Sequence, residues 1–492
     1  MKRRKDEGRN ISTLTPTLPL NRGREPIERK SFLLPVEGEG GRRPDEGRYP
    51  VIVFIVVLLL SGNAVAATPH FALSLSSAET AALAYSPRLK AAAEQIAASR
   101  DRADSQRALL IPRLTLDGSY KYVTEVPEMR GTAYGAHRNT SIGPTLTWTL
   151  WDQGALYKGW RSQLSLVQSQ KDAEALARNQ ILLGSRLAYF QVQLALEQVR
   201  LIGDFMNLAE SQYQDIRKRL SAGSASRVDA LSAHQEVLSR RKDFRQAQAD
   251  LASALHELLT LTGNTTSYDL SRVVDGRVAS SLPAYTGSPT LLLELDPLSP
   301  CPVELAAAAK RDFDAVHPQL RMYSDQAEAN RLSAKSLSAG RWPKILLSGR
   351  SSYDYPNGPV LETVQQNAVS LSASVPLFEA SKTQRETDEQ NRRAAAAEAT
   401  RQQSFDELRR DWFKARDQYG ALRDQEALDR ESVSETGEIS RLKYLMYKEG
   451  GLTFLEVENA NLKALQSKVT AALTQAQMLI RLATLDSLSA HR

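Results

Sequence analysis

The chain has 492 residues, a formal net charge of +6, 24% charged and 7% aromatic residues, and one cysteine, Cys301. A lone cysteine excludes an internal disulfide framework and a cysteine-rich metal site. Residues 1–50 carry 12 Lys/Arg against 8 Asp/Glu, so the rest of the chain holds only +2 and the basic balance makes no case for nucleic acid as a partner.

Residues 1–49 are polar and rich in Gly, Pro and Arg, an over-extended start or leader rather than a domain. Residues 50–66 hold an apolar run, Val51 to Leu60, followed by Ala64-Val65-Ala66. A run of ten is too short to cross a bilayer as a helix. With its small-residue ending it fits a secretory signal peptide, with Ala67 as the expected new N-terminus.

The spacing then predicts a helix from Leu73 to about Leu110, with Pro87 near an early turn. After Pro112, Leu114, Leu116, Gly118, Tyr120 and Tyr122 alternate with Thr115, Asp117, Ser119 and Lys121. That period of two predicts a half-exposed strand over about 113–123. A second, over about 142–150, alternates Leu146, Trp148 and Leu150 with Thr145, Thr147 and Thr149. Residues 155–220 lack proline and predict a very long helix. A break at about 219–226, centred on Gly223, separates it from a helix that ends at Gly263. Five prolines mark the connector, residues 264–310.

The plan then repeats. His317-Pro318-Gln319-Leu320 echoes Ser86-Pro87-Arg88-Leu89, and Trp342-Pro343-Lys344-Ile345 echoes Ile111-Pro112-Arg113-Leu114, both at an offset of 231. Strands are predicted over about 344–355 and 367–376, the latter alternating Val369, Leu371 and Ala373 with Ser370, Ser372 and Ser374. Gly450 matches Gly223, and Glu456 matches Asp229, at an offset of 227, which places the second tip at about 446–453. In the last helix, Leu462, Leu465, Val469, Ala472, Ala476, Leu479 and Ala483 form a coiled-coil seam. The chain thus divides into repeat 1 (67–263), connector (264–310) and repeat 2 (311–492), each repeat a helix, β-hairpin, long helix, tip and helix.

Each strand has about the length of a tilted membrane strand. Four strands cannot close a barrel, and an open edge in lipid leaves backbone groups unpaired, so a membrane sheet of this kind requires several chains. The other reading of the same alternation is two ordinary hairpins of a soluble sheet.

The signal peptide, the two helix starts, the strand ends Leu150-Trp151-Asp152-Gln153-Gly154 and Pro376-Leu377-Phe378-Glu379-Ala380, and the two glycine tips resemble the TolC-like outer membrane efflux protein family. The resemblance covers about Leu73 to Leu488. It implies a mainly α fold with a membrane β-barrel portion, assembled as a homotrimeric α/β barrel tunnel in the outer membrane of a Gram-negative bacterium and extending into the periplasm. It implies a periplasmic adaptor, an inner-membrane transporter and outer membrane lipid as partners, and a passive exit duct for small molecules as the function. A type I protein secretion duct stays open, as does, in a different class, a soluble periplasmic coiled-coil scaffold. Carried over by position, Arg219, Leu220, Gly223, Ser224 and Ala225 on one tip and Tyr447, Gly450, Gly451 and Thr453 on the other would meet the adaptor. Asp229 and Glu456, with Glu458 as a possible third, would ring the entrance. The alternative for Asp229 and Glu456 is a helix first-turn role favoured by the dipole. No residue pattern points to a catalytic site, a metal or a cofactor.

Overall fold

The computed structural model describes residues 70–133, 135–263, 292–299 and 302–489. The expected extension, the signal peptide and most of the connector lie outside the described residues.

The duplication is visible in element lengths. Repeat 1 runs β1 (His70–Leu73), α1 (Leu75–Tyr85), α2 (Pro87–Ala108), β2 (Arg113–Tyr122), β3 (Glu128–Met129), β4 (Thr132–Ala133), β5 (Arg138–Trp151), α3 (Ala155–Ser221) and α4 (Arg227–Thr262). Then follow β6 (Leu292–Leu295), α5 (Val303–Ala308), α6 (Pro318–Ala339), β7 (Lys344–Tyr355), β8 (Val364–Ser374), α7 (Lys382–Lys448) and α8 (Phe454–Leu488). Both α2 and α6 have 22 residues, and both α3 and α7 have 67. At 1.5 Å per residue, α3 and α7 each reach roughly 100 Å.

One expectation is corrected. The helix predicted from Leu73 to Leu110 is a short strand and two helices. Ser86 ends α1 and caps α2, its Oγ accepting from the Leu89 N–H, and Pro87 takes the first position of α2. Proline is favoured there because its missing N–H would be unsatisfied anyway, so Ser86-Pro87 starts a new helix instead of marking a turn within one.

The four long strands form one antiparallel sheet in the order β2-β5-β7-β8, so the hairpins of the two repeats join through β5 and β7. Register keeps the predicted faces. Leu114, Leu146, Gly349 and Val369 form one row across the sheet, and Arg113, Thr147, Ser348 and Ser370 the next. Strands β5 and β8 begin three to four residues earlier than predicted, because their loop-side ends (Arg138 to Ser141; Val364 to Asn367) are paired but carry little apolar alternation.

At the other end of the strands the chain turns into the long helices through a duplicated corner. Gln153 and Gly154 (φ +55° and +74°) precede α3, and Ala380 and Ser381 (φ +47° and +67°) precede α7. In the first copy the Asp152 carboxylate accepts from the N–H groups of Gly154 (2.9 Å) and Leu156 (2.8 Å).

Midway along the bundle, β1 and β6 pair in parallel over α3. The Tyr189 hydroxyl donates to the Leu73 carbonyl (2.9 Å), and Gln193 donates to the carbonyl of Asp296 (2.5 Å). Beneath lies the main core, with Tyr189, Phe190, Phe244, Leu251 and Leu255 nearly inaccessible. Arg186 of α3 bridges Glu79 of α1 and Asp486 of α8, both at 2.6 Å. The α8 seam is as predicted at Leu465, Ala472, Ala476, Leu479 and Ala483, which are buried, whereas Leu462 is exposed and Val469 half-buried.

Candidate functional site

Two regions carry chemistry suited to a duct, the sheet and the paired tips. On the sheet, the apolar row residues stand in the open: Leu116 is 73% exposed, Leu371 67% and Val369 82%. Large apolar side chains over most of one face of a sheet, facing no protein, fit a lipid-facing surface; Ser351, Gln365 and Asn367 are among its polar members, toward the loop end of β7 and β8. The opposite face is hydrophilic. Arg350 Nη2 donates to Ser141 Oγ (2.6 Å), Ser141 donates to Asp354, and Ser348 and Ser370 share a hydrogen bond of 2.7 Å. Leu346 departs from this pattern, pairing with Thr149 on the polar face. Gly143 of β5 is buried against β7, and a Cβ there would lie 2.0 Å from the Ser351 carbonyl oxygen. Among the described residues neither β2 nor β8 has a partner on its outer side.

At the far end of α3 and α7 the two tips share one backbone design. Gly223 has φ +74° and Gly450 φ +81°, conformations open to glycine without a Cβ penalty. The Ser224 N–H bonds the Arg219 carbonyl (2.9 Å) and the Gly223 N–H bonds that of Leu220 (3.1 Å). Gly451 to Met446 (2.9 Å) and Gly450 to Tyr447 (3.0 Å) repeat the pair. These are the two bonds of a Schellman motif, found twice at the offset of 227. Ser226 then caps α4, accepting from the Asp229 N–H (3.0 Å) while the Asp229 carboxylate accepts from the Ser226 N–H (3.4 Å). Asp229 therefore holds a first-turn capping position. Glu456 stands at the equivalent place in α8, where Thr453 makes no side-chain cap.

The tips lie side by side. Arg219 Nη1 donates to the Lys448 carbonyl (3.2 Å). Gly223, Ser224, Gly450, Gly451 and Thr453 are exposed, and Leu220 and Ala225 half-buried. Tyr447 is buried, packed with Ile216, Ala233, Phe454 and Val457. Burial first, then the Asp229 charge, raises its phenol pKa.

Sequence reasoning missed the group that ties these tips. Asp215 of α3 accepts a 2.9 Å hydrogen bond from the Tyr444 hydroxyl of α7, with Arg219 Nε at 3.4 Å and Lys448 Nζ at 3.8 Å. Burial alone would raise the Asp215 pKa, but Tyr444, Arg219 and Lys448 together hold it below the ordinary value. Higher up, Asn461 of α8 donates to Gln212 of α3 (3.0 Å) and accepts from Ser440 of α7 (2.6 Å). Glu458 faces Glu236, which also pairs with Arg240 (2.7 Å). Burial first, then the Glu236 charge, raises the Glu458 carboxyl. The sequence signal for Asp215 was available: Asp215, Arg219, Tyr444 and Lys448 all fall within two turns of the tips, on facing helices.

A sheet with one lipid-suited face, set on helices of roughly 100 Å that end in paired tips, defines an outer-membrane channel that extends into the periplasm. The model of the family described as outer membrane efflux protein matches residues 80–264 and 312–491, and the chain belongs to that family. Solved structures share the fold. A CusC structure has a TM-score of 0.68 at 17% identity, covering 85% of this chain and 92% of its own. VceC of Vibrio cholerae gives 0.67 at 16% identity, with 84% and 95% covered. The open state of MtrE from Neisseria gonorrhoeae gives 0.62 at 19% identity, with 84% and 88% covered. No curated protein matches the chain.

Proposed function

We propose that three copies of this chain close one twelve-stranded barrel and that the assembly is the passive exit duct of a tripartite efflux system for small molecules. The open four-stranded sheet, mostly apolar on one face and, among the described residues, unpaired at both edges, carries this reading. Two unpaired edges in lipid leave backbone groups that each cost several kcal/mol, and a ring of copies removes every edge. The exposed tips of α3–α4 and α7–α8 are the surface a periplasmic adaptor would touch, and an inner-membrane transporter would supply the energy. Asp229 and Glu456 would place six carboxylates near the entrance of a trimer. The Asp215–Tyr444 tie, which joins α3 to α7 just above the tips, would restrain that entrance.

The test is membrane fractionation with mass measurement in mild detergent, followed by a drug-accumulation assay in cells lacking the chain. The expected result is a trimer in the outer membrane and small-molecule accumulation on its loss. A soluble monomer would overturn the duct. Retention of an exported protein, with small-molecule efflux intact, would favour protein secretion instead.

A further inference from the structure

The seam between β5 and β7 inside one chain offers a template for the seam between copies. This rests on the shared barrel proposed above. Strand direction alternates across β2-β5-β7-β8, so in a ring β8 of one copy meets β2 of the next in antiparallel fashion, as β5 meets β7. The duplication makes the equivalence quantitative. Residues 382–448 of α7 follow α3 at an offset of 227, and residues 318–339 of α6 follow α2 at 231. Strand β8 is thus β5 advanced by 227, and β2 is β7 set back by 231.

Exposure separates the covered seam from the bare one. At the base of β5, Leu150 and Trp151 are 43% and 41% exposed, and Trp151 pairs with Ile345 of β7. Their equivalents after β8, Leu377 and Phe378, are 94% and 89% exposed. The equivalent of Ile345 is Leu114 of β2, 69% exposed, whereas Ile345 itself is half-buried. Both halves of an apolar contact are present, and both lack the other half.

We infer that β8 of one copy pairs with β2 of the next in the register transposed from β5–β7, with Ser372 opposite Ser119 and Leu371 opposite Tyr120, and that Phe378 closes over Leu114 of that neighbour at the helix-side rim. The transposed register passes a check it was not built to satisfy. Leu371 and Tyr120 both lie on the apolar face, and Ser372 and Ser119 both on the polar face, so each face continues unbroken around the ring. A slip of one residue would put every side chain of β8 on the wrong face.

Cysteine cross-linking of the full chain in its membrane, in a Cys301→Ser background, tests this. Ser372→Cys with Ser119→Cys is expected to give covalent dimers and trimers on non-reducing gels, as is Phe378→Cys with Leu114→Cys under a short bismaleimide. Ser372→Cys with Thr115→Cys, four residues out of register, is expected to stay monomeric on the gel. A detergent-stable trimer that cross-links through the Thr115 pair and not the Ser119 pair would overturn the register while leaving the shared barrel intact. A trimer in which Phe378→Cys is labelled by a lipid-soluble maleimide and never linked to Leu114→Cys would give that rim to lipid and overturn the closing contact. Absence of any trimer would overturn the barrel itself and the seam with it. The double variant Leu377→Ser/Phe378→Ser gives an independent readout: its trimer is expected to dissociate at lower temperature in SDS than the parent, and an unchanged dissociation temperature would count against the contact.

Discussion

Tyr444→Phe removes one hydroxyl and little else. That hydroxyl makes the shortest of the three side-chain contacts that Asp215 receives, 2.9 Å against 3.4 Å from Arg219 and 3.8 Å from Lys448. A hydrogen bond to a buried charged group contributes about 1.5–3 kcal/mol, and because Asp215 keeps 35% of its side chain in solvent, a figure of about 1–2 kcal/mol per chain is appropriate. If three copies release together, opening of the entrance is favoured by about 3–6 kcal/mol, a shift of roughly two to four decades in the opening equilibrium. The assay is single-channel recording of purified protein in planar bilayers, with Asp215→Asn and the double variant completing a cycle. The expected result is longer, larger openings in Tyr444→Phe and no further gain when Tyr444→Phe is added to Asp215→Asn, which already removes the charge that Tyr444, Arg219 and Lys448 all meet. Equal conductance and open probability in parent and Tyr444→Phe, with the trimer intact, would refute the tie as a restraint on the entrance. The pH dependence has a definite sign. The folded pKa of Asp215 is depressed, so its contribution is complete above the ordinary value of 3.8 and is lost as pH falls through the lower folded value. Opening through this route is therefore expected only in strong acid.

Gly143→Val is expected to abolish barrel assembly, read as loss of the heat-modifiable band on gels, because its Cβ would lie 2.0 Å from the Ser351 carbonyl oxygen; Gly349→Ala, with nothing within 4 Å, serves as the tolerated control. Arg186→Ala strands Glu79 and leaves Asp486 with Arg311, so a loss near the lower end of the range for breaking a buried pair, about 3 kcal/mol, is expected in chemical denaturation. The folded pKa of Glu458 is raised, by burial first and then by Glu236, so the parent loses stability as pH rises from its ordinary value of 4.5 through the folded one; Glu458→Gln is expected to flatten that part of a melting-temperature profile, and an identical slope would disprove the raised carboxyl.

The duplication, the strand pairs and both tips were legible in the sequence because each rests on local chemistry: alternation for the strands, and glycine at a left-handed turn for the tips. The pairing of β1 with β6 was not, since those strands are four residues long and their partners lie more than two hundred residues apart. The joining of the two hairpins through β5 and β7 is likewise non-local. Asp229 and Glu456 were singled out by their repeat offset. Asp215 has no acidic counterpart at that offset, where Leu442 stands, so the duplication does not mark it. Its role came from helix packing, which brings Tyr444 across from another repeat. Tyr447 was expected among the tip residues that meet a partner, and burial places its ring inside the tip instead.

The two hairpin loops are unequal. The β7–β8 connection spans residues 356–363, whereas the β2–β5 connection spans 123–137 and carries the small β3–β4 ladder. At the tip of that ladder Arg130 and Gly131 both have positive φ, the backbone of a two-residue turn whose twist matches its strands. These loops lie at the end of the sheet away from the helices, which in the proposed duct is the cell surface. In the proposed trimer the mouth is thus marked by three tall projections alternating with three low ones. Whatever docks from outside, an antibody or a phage, would meet a three-pointed crown whose points are built separately from the wall beneath, and a peptide spliced at Arg130–Gly131 would be displayed there without touching a seam.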